Sequence, residues 1–170
     1  LNGSNGKWSP DGNKIAFTKK GKPNGTQIFV KYFGIEGEPT QITKLEKSPS
    51  NMEWSPDGKY IAFIMHVSSE PALEPKGIPD KPNGASWTKS PEVIDQVDYS
   101  QDRVGFLERG FRQLFIVPSE GGTSRQITFG KLDDVSSGIS WSRDSKKIIF
   151  SSYQRPEAEY ARGESNLYTV

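Results

Sequence analysis

The sequence predicts an all-β protein, a β-propeller of four-stranded antiparallel blades, and three observations predict it. A ten-residue phrase, WSPDGNKIAF at 8–17, returns as WSPDGKYIAF at 54–63. With two degraded copies, YSQDRVGF and WSRDSKKIIF, the opening aromatic residues lie at 8, 54, 99 and 141, in steps of 46, 45 and 42. That period, filled with short apolar segments and turns, is the size of one propeller blade.

The composition agrees with a folded chain of many short strands. Of the 170 residues, 32% are hydrophobic and 11% aromatic, which is too aromatic for a disordered chain, and 17 Gly and 12 Pro suit frequent turns. The charge of +1 comes from 22 basic and 21 acidic residues without blocks, so we expect no nucleic-acid partner. No apolar run has the length of a membrane span, so we expect no membrane partner. Because there is no Cys, disulfides and thiolate metal sites are excluded.

The repeated Ser-Pro-Asp-Gly phrase predicts a type I turn followed by a left-handed glycine. Its Asp residues are open to two interpretations, carboxylates of a site or turn residues, and repeated turn chemistry favours the second. In the last copy Arg143 replaces Pro and Ser145 replaces Gly, so we expect Ser145 to adopt a left-handed conformation at some cost. The predicted structural turn residues are Trp8, Pro10, Asp11, Gly12, Trp54, Pro56, Asp57, Gly58, Tyr99, Asp102, Trp141 and Asp144.

A second phrase runs in step with the first, GEPTQIT at 37–43 and GGTSRQIT at 121–128. Between the two phrases lie apolar runs, TQIFVKYF and RQLFIVP, which read as strands that are apolar on both faces. Such strands fit a blade that is packed between two neighbours. We therefore predict about three to four blades. The predicted repeat units lie near 8–50, 51–92, 93–135 and 136–170.

The segment 67–92 breaks this rhythm and is rich in proline. It is interpreted either as a long exposed insertion or as an arm that faces a cavity or partner, with Trp87 as a possible substrate or partner contact. Both ends of the sequence cut through a repeat unit, so we expect a part of a larger propeller. Such a part, taken alone, exposes blade faces and strand edges and is expected to associate with itself.

The search for catalytic chemistry yields no candidate. A hydrolase nucleophile needs a G-x-S-x-G turn, and the nearest strings, around Ser86 and Ser140, lack the closing glycine. The single histidine, His66, ends a predicted strand and has no partner motif. Asp133 and Asp134 match no calcium-loop spacing, so a solvated turn is favoured over a metal site. We expect no catalytic residue, no cofactor and no metal in this chain.

The paired WSPDG and RQIT phrases resemble the WD40-like (PD40) repeats of TolB-type proteins and of the prolyl oligopeptidase superfamily. The segment 84–130, GASWTKSPEVIDQVDYSQDRVGFLERGFRQLFIVPSEGGTSRQITFG, resembles the N-terminal propeller of acylaminoacyl-peptidase-like members, and the flanking repeats extend the resemblance across the chain. In that family the propeller precedes an α/β-hydrolase domain with a Ser-Asp-His triad, caps its active site and admits short peptides. No position here matches a triad motif, so no catalytic residue carries over.

Two functions from different classes follow from this resemblance. The first is the non-catalytic propeller portion of an S9-type serine peptidase, whose partners are its own downstream α/β-hydrolase domain and short peptide substrates. The alternative is a TolB-like, protein-binding propeller with no hydrolase domain. The chain alone is expected to be inactive, whereas the parent protein is expected to be a serine peptidase under the first hypothesis. A cytoplasmic and a bacterial periplasmic or secreted location both stay open.

Overall fold

In the computed structural model the described residues are 2–69, 81–86, 94, 97, 99–130, 135–154, 160 and 165–170. These residues form strands and turns only, and every strand pairing among them is antiparallel. Within the same ranges no helix has the length and hydrophobicity needed to cross a membrane. The all-β fold class predicted from the sequence is confirmed.

The strands form three successive blades and one small hairpin. Blade 1 is a four-stranded sheet in the order β1-β2-β3-β4. Its strands are β1 (Ser4–Trp8), β2 (Lys14–Lys20), β3 (Thr26–Tyr32) and β4 (Thr40–Gln41). The first two strands of blade 2 are β5 (Ser50–Trp54) and β6 (Tyr60–Ser68). A small hairpin follows, made of β7 (Ser100–Gln101) and β8 (Gly105–Phe106), and the last two strands of blade 2 are β9 (Gly110–Pro118) and β10 (Arg125–Gln126).

Blade 2 is the sheet β10-β9-β6-β5, and among the residues that the structure describes β7 pairs only with β8. Blade 3 is the three-stranded sheet β11-β12-β13 among the described residues. Its strands are β11 (Val135–Trp141), β12 (Ile148–Ser152) and β13 (Asn166–Thr169).

The blade boundaries differ from the predicted units in the middle of the chain. The units predicted at 51–92 and 93–135 are one blade, because β6 and β9 pair directly from Tyr60 with Pro118 to Ser68 with Gly110. The copy YSQDRVGF forms the β7–β8 hairpin. This hairpin lies within the connection between β6 and β9 and is not the first strand of a new blade. The insertion predicted from 67 begins later, since β6 runs to Ser68. An aromatic-Ser-x-Asp phrase specifies a tight turn, and turn chemistry does not decide which sheet the flanking residues join.

The central strands bury side chains on both faces, as predicted. In β6, Ile61 and Phe63 belong to a core cluster that joins blade 1 to blade 2. The alternating residues Ala62 and Ile64 belong to a second cluster, which joins blade 2 to blade 3. Successive residues of a strand point to opposite faces, so this four-residue apolar run fills two different cores.

The repeated turns have the predicted conformation. Gly12 and Gly58 have φ values of 72° and 71°, and Ser145, in the place of glycine, has a φ of 59°. In the first turn the Gly12 N–H donates to the Ser9 carbonyl at 2.9 Å. The Ser9 hydroxyl donates to Asp11 at 2.6 Å, and the Lys14 N–H donates to the Ser9 Oγ at 2.9 Å. The prediction that Ser145 takes a left-handed conformation is confirmed.

Each four-stranded blade also contains a buried polar pair at its outer edge. In blade 1 the Thr43 hydroxyl donates to the Gln27 Oε1 at 3.0 Å and accepts from the Ile28 N–H at 2.9 Å. In blade 2 the Thr128 hydroxyl donates to the Gln113 Oε1 at 2.7 Å. These two pairs, Gln27 with Thr43 and Gln113 with Thr128, are the Gln–Thr clasps. Both glutamines are essentially inaccessible to solvent, at 0% and 1% exposed.

We predict that Thr128→Val lowers the free energy of unfolding by about 2 kcal/mol, because it leaves the Gln113 Oε1 and the Leu114 N–H without the buried hydroxyl that binds both. Urea unfolding of the variant measures the loss. Thr123→Val, at an exposed position in the turn before β10, is the matched control and is expected to stay within about 0.5 kcal/mol of the unsubstituted chain. Equal losses in both variants would contradict a structural role for the clasp.

We also predict that Ser145→Gly is more stable than Ser145→Ala by about 1 kcal/mol, since only glycine relieves the left-handed backbone. Both variants lose the Ser145 Oγ, which accepts a hydrogen bond from the Asp57 N–H at 3.0 Å. The difference between the two therefore isolates the backbone contribution. Thermal unfolding of the pair measures it, and an equally stable pair would show that Ser145 carries no strain.

Candidate functional site

A cleft of about 370 Å³ lies where the edges of blades 1 and 2 meet. It is formed by the Ser-Pro-Asp-Gly turns of both blades together with the turn between β9 and β10. The residues that line it are Ser9, Pro10, Asp11, Lys14, Pro56, Asp57, Gly58, Lys59, Ser119 and Glu120. The repeat thus brings residues that are 46 positions apart in the sequence to one surface.

The turn geometry keeps the two aspartates of the cleft ionised. The Ser9 hydroxyl and the backbone N–H of Asn13 donate to Asp11 and lower the pKa of its carboxyl group. The Ser55 hydroxyl donates to Asp57 at 2.6 Å and lowers the pKa of that carboxyl group in the same way. Hydrogen bonds to a charged carboxylate favour the charged form, so neither group is suited to exchange a proton near neutral pH.

The third carboxylate, Glu120, connects the two blades. The Lys14 Nζ lies 2.5 Å from the Glu120 Oε1, and the Tyr32 hydroxyl donates to the other carboxylate oxygen. The hydrogen bonds from Lys14 and then Tyr32 lower the pKa of Glu120. Burial is the largest single effect on the pKa of Lys14 and lowers it, but the hydrogen bond and the charge of Glu120, together with smaller contributions from Tyr32, outweigh burial, so the pKa of Lys14 is raised. The Glu120 hydrogen bond likewise raises the pKa of Tyr32, so its hydroxyl stays protonated.

Indole hydrogen bonds hold each blade to the one before it. The Trp54 Nε1 donates to the Lys7 carbonyl oxygen at 2.9 Å, and the Trp141 Nε1 donates to the Glu53 carbonyl oxygen at 3.2 Å. In both cases the acceptor is the residue that precedes the tryptophan of the earlier blade. Trp8, at the equivalent position of blade 1, is 56% exposed, with its ring centroid 4.6 Å from that of Phe33.

The described residues do not assemble a hydrolytic centre. The His66 Nε2 lies 3.3 Å from the Arg109 carbonyl oxygen, and in the described part of the chain no hydrogen bond joins this ring to a serine. Ser140 lies on β11, and Ser86 is exposed. Within the same ranges no three His, Cys, Asp or Glu side chains are grouped to hold a metal ion. The cleft therefore offers fixed charges of both signs for binding.

The structure separates the predicted turn residues into two sets. The turns that begin at Trp8, Trp54 and Trp141 lie on three adjacent blades, whereas Tyr99 and Asp102 belong to the separate β7–β8 hairpin, with the Tyr99 ring 6.2 Å from that of Phe106. The predicted contact Trp87 and the aspartates at 133 and 134 lie outside the described residues.

Sequence reasoning missed the Lys14, Tyr32 and Glu120 group. Lys14 and Glu120 are 106 positions apart, and no motif in the sequence relates them.

We predict that Glu120→Gln destabilises the chain at pH 7 by up to about 1 kcal/mol and that this deficit shrinks as the pH falls below about 4. The sign follows from the lowered pKa of Glu120. A carboxyl group with a lowered pKa contributes stability above its unfolded pKa, and this contribution is lost as the pH falls through the folded pKa. Urea unfolding from pH 7 to pH 3 measures the difference, with Glu38→Gln, at an exposed position, as the control. A deficit that does not change with pH would contradict the ion pair.

Comparison with known proteins gives one curated relative at the sequence level. No model of a known protein family matches the chain. The sequence is 26% identical over 145 residues to the uncharacterized peptidase YuxL of Bacillus subtilis (strain 168). The match covers 85% of this chain and 21% of the relative, so the chain spans about a fifth of that protein's length.

Solved structures with the same fold include peptidase and TolB propellers. The acylaminoacyl peptidase of Pyrococcus horikoshii, at 16% identity, aligns with 99% of this chain and 24% of its own, with a TM-score of 0.65. A putative TolB from Agrobacterium tumefaciens, also at 16% identity, aligns with 100% of this chain and 47% of its own, with a TM-score of 0.52. These likenesses show the fold. The chain therefore has the β-propeller fold that its repeats predict. The YuxL match agrees with the resemblance of those repeats to peptidase propellers.

Proposed function

We propose that this chain is the non-catalytic propeller portion of an S9-type serine peptidase, and that the propeller limits access of peptides to a Ser-Asp-His site in an α/β-hydrolase domain of the parent protein. The observation that carries the proposal is the sequence match to a peptidase across 85% of the chain. The match covers only 21% of that peptidase, which leaves ample length for a catalytic domain.

The contacts between blades give the proposal a physical basis. A propeller that excludes large substrates must keep its opening narrow, which requires that neighbouring blades do not slide or separate. Here two apolar clusters, the indole bonds of Trp54 and Trp141, and the Lys14–Glu120 pair all join one blade to the next. Packed interiors of this kind resist continuous deformation, so the ring acts as a filter of fixed size.

The charged cleft adds a second element to this proposal. Its ionised carboxylates at Asp11, Asp57 and Glu120 lie on the side of the blades that carries the repeated turns. The lining also holds the ammonium groups of Lys14 and Lys59, so three carboxylates stand against two cations, and this small excess of negative charge favours peptides that enter with a positive amino terminus.

We predict that the parent protein cleaves a short peptide and spares the same bond inside a folded protein, and that Trp54→Phe weakens this discrimination. Losing one indole hydrogen bond, about 1 kcal/mol, raises the population of loosened blades about fivefold. The ratio of kcat/KM for the long and the short substrate is expected to rise by a similar factor. Tyr60→Phe, at an exposed aromatic residue, is the matched control and should leave the ratio unchanged.

Three outcomes would overturn the proposal. A parent sequence without a G-x-S-x-G turn and an ordered Asp and His, combined with no cleavage of any short peptide, would favour the TolB-like alternative, in which the propeller docks partner proteins. Cleavage of short and long substrates at equal rates by the unsubstituted parent would remove the filter while leaving the peptidase. An unchanged ratio in Trp54→Phe would show that blade contacts do not set it.

A further inference from the structure

The first strands of blades 1 and 2 carry the same irregularity at the same place in the repeat. In each strand two residues oppose a single residue of the second strand, 5 and 6 in β1 and 51 and 52 in β5, so each contains a β-bulge. The first residue of both bulges is an asparagine, Asn5 and Asn51, 46 positions apart. Both asparagines have a left-handed backbone, with φ values of 54° and 47°.

Glycine is the residue that fills such a bulge at the lowest cost, and the chain does not use it here. Glycine takes a left-handed backbone freely because it has no Cβ, and it is the usual first residue of a bulge with this conformation. The chain does place glycine at its repeated left-handed turn positions, Gly12 and Gly58. An asparagine at both bulges therefore indicates that the amide side chain has a role of its own.

The bulges lie on the innermost strands of the propeller. β1 contacts β5 and β5 contacts β11, whereas in the described part of the chain the fourth strands β4 and β10 do not contact each other. The blades therefore converge at their first strands and diverge toward their fourth strands. Within the same residues β1 and β5 each pair with one strand only, so their other edges face the space around which the blades are arranged.

Asn51 shows where the amide points, because blade 2 has a neighbouring blade on each face. Its strand neighbours Met52 and Trp54 are buried, yet Asn51 itself is exposed. Since blade 1 and blade 3 cover the two faces of blade 2, an exposed side chain on β5 opens toward the inner edge of the strand. The Asn51 side chain forms no hydrogen bond within the residues that the structure describes, so its amide oxygen and its two N–H groups are available to a ligand.

The charged side chains beside the bulges neutralise each other. Two residues further along the strands, the Lys7 Nζ of β1 lies 2.7 Å from the Glu53 Oε1 of β5. A surface made of amides and a paired cation and anion has no preference for the charge of its ligand. Its hydrogen-bonding groups match those of a peptide group, which offers one N–H donor and one carbonyl acceptor.

We propose that Asn5 and Asn51 bind the backbone of an extended peptide that lies along the inner edges of β1 and β5. Each amide oxygen accepts from a peptide N–H and each amide nitrogen donates to a peptide carbonyl. Asn5 keeps one N–H on the Thr18 Oγ1, at 3.4 Å, and uses its second N–H for the peptide. Backbone groups on the two strand edges add further hydrogen bonds, as in other cases of peptide binding at a sheet edge.

This site does not select peptides by their side chains, because it reads only their backbone. The inference rests on the proposed function for the identity of the ligand, and it adds to that function the groups that hold a peptide inside the propeller. The site is separate from the charged cleft, which lies at the turns that follow the two strands.

The test is the affinity of the parent protein for an uncharged peptide of alternating alanine and threonine, acetylated and amidated at its ends. Calorimetric titration measures it after treatment with a serine-directed fluorophosphonate, which prevents cleavage. We expect saturable binding, with a Kd about tenfold higher in Asn5→Gly and in Asn51→Gly, because each variant loses two hydrogen bonds. Their Tm is expected to stay within about 2 °C of the unsubstituted protein, since glycine suits the left-handed backbone. Asn13→Gly, which removes an exposed amide from the first turn, is the matched control and should leave the Kd unchanged.

A peptide methylated on its backbone nitrogens tests whether the backbone is what the site recognises. This peptide has lost its N–H donors, so the difference in Kd between the unsubstituted protein and Asn51→Gly is expected to shrink to about threefold or less. The same tenfold difference with the methylated peptide would overturn the proposal.

Other outcomes overturn it at the level of the variants. These are an unchanged affinity for the unmethylated peptide in Asn5→Gly and Asn51→Gly, an equal loss in Asn13→Gly, or a larger fall in Tm, which would show that the amides serve the fold. A parent protein that cleaves short peptides while all affinities stay equal would refute this site and leave the proposed function. The expected differences in a parent protein that cleaves no peptide would support the site and refute the proposed function.

Discussion

In blades 1 and 2 the second and third strands bury side chains on both faces of the sheet. In β6 the alternating residues Ile61 and Ala62 enter two different cores, one against blade 1 and one against blade 3. A sheet of this kind is stable only between two other sheets, because an apolar face without a neighbouring sheet would remain in contact with water. Packing between blades is therefore the main source of stability of this fold. The turns, the tryptophan hydrogen bonds and the ion pairs add smaller contributions to it.

Two-sided burial also explains why polar side chains are found inside the blades. A blade buries its outer edge along with its faces, and the backbone groups there need partners because unpaired buried groups are costly. The fourth strands are only two residues long, which is too short to pair that edge by backbone alone. Gln27 extends the pairing: its side chain exchanges hydrogen bonds of 2.9 and 2.8 Å with the backbone of Leu45. The glutamine side chain of the clasp thus makes the hydrogen bonds that a longer fourth strand would make through its backbone.

Sequence reasoning succeeded where one residue decides a local conformation. A position that needs a left-handed backbone is visible from its repeated glycine, so the φ of Ser145 followed from alignment with Gly12 and Gly58. It failed at Tyr99, because a turn phrase fixes four residues and leaves the partner strand open. The Gln–Thr clasps were missed although Gln27 and Gln113 precede the same apolar run, a signal that would have found them. The Lys14–Glu120 pair had no such signal, since a surface ion pair between blades leaves no periodic trace.

Blade 2 contains a long connection between its second and third strands and still forms a complete four-stranded sheet. Positions 69–109 separate β6 from β9, whereas positions 21–25 separate the corresponding β2 and β3. Closing the longer connection costs about 2 kcal/mol more in chain entropy. Blade 2 compensates at the base of the insertion: β6 and β9 run two residues longer than β2 and β3, to Ser68 and Gly110.

The end of that connection, next to β9, is then held by side-chain hydrogen bonds. The Glu108 carboxylate accepts hydrogen bonds from Ser68 at 2.6 Å and from Lys47 at 2.7 Å, and the bond from Lys47 is the largest cause of its lowered pKa. Lys47 lies in the segment that joins blade 1 to blade 2, between β4 and β5. The insertion is therefore anchored at its base to blade 2, through Ser68, and to the segment that joins blades 1 and 2, through Lys47. An arm attached in this way can vary in sequence and length while the propeller beneath it keeps its geometry.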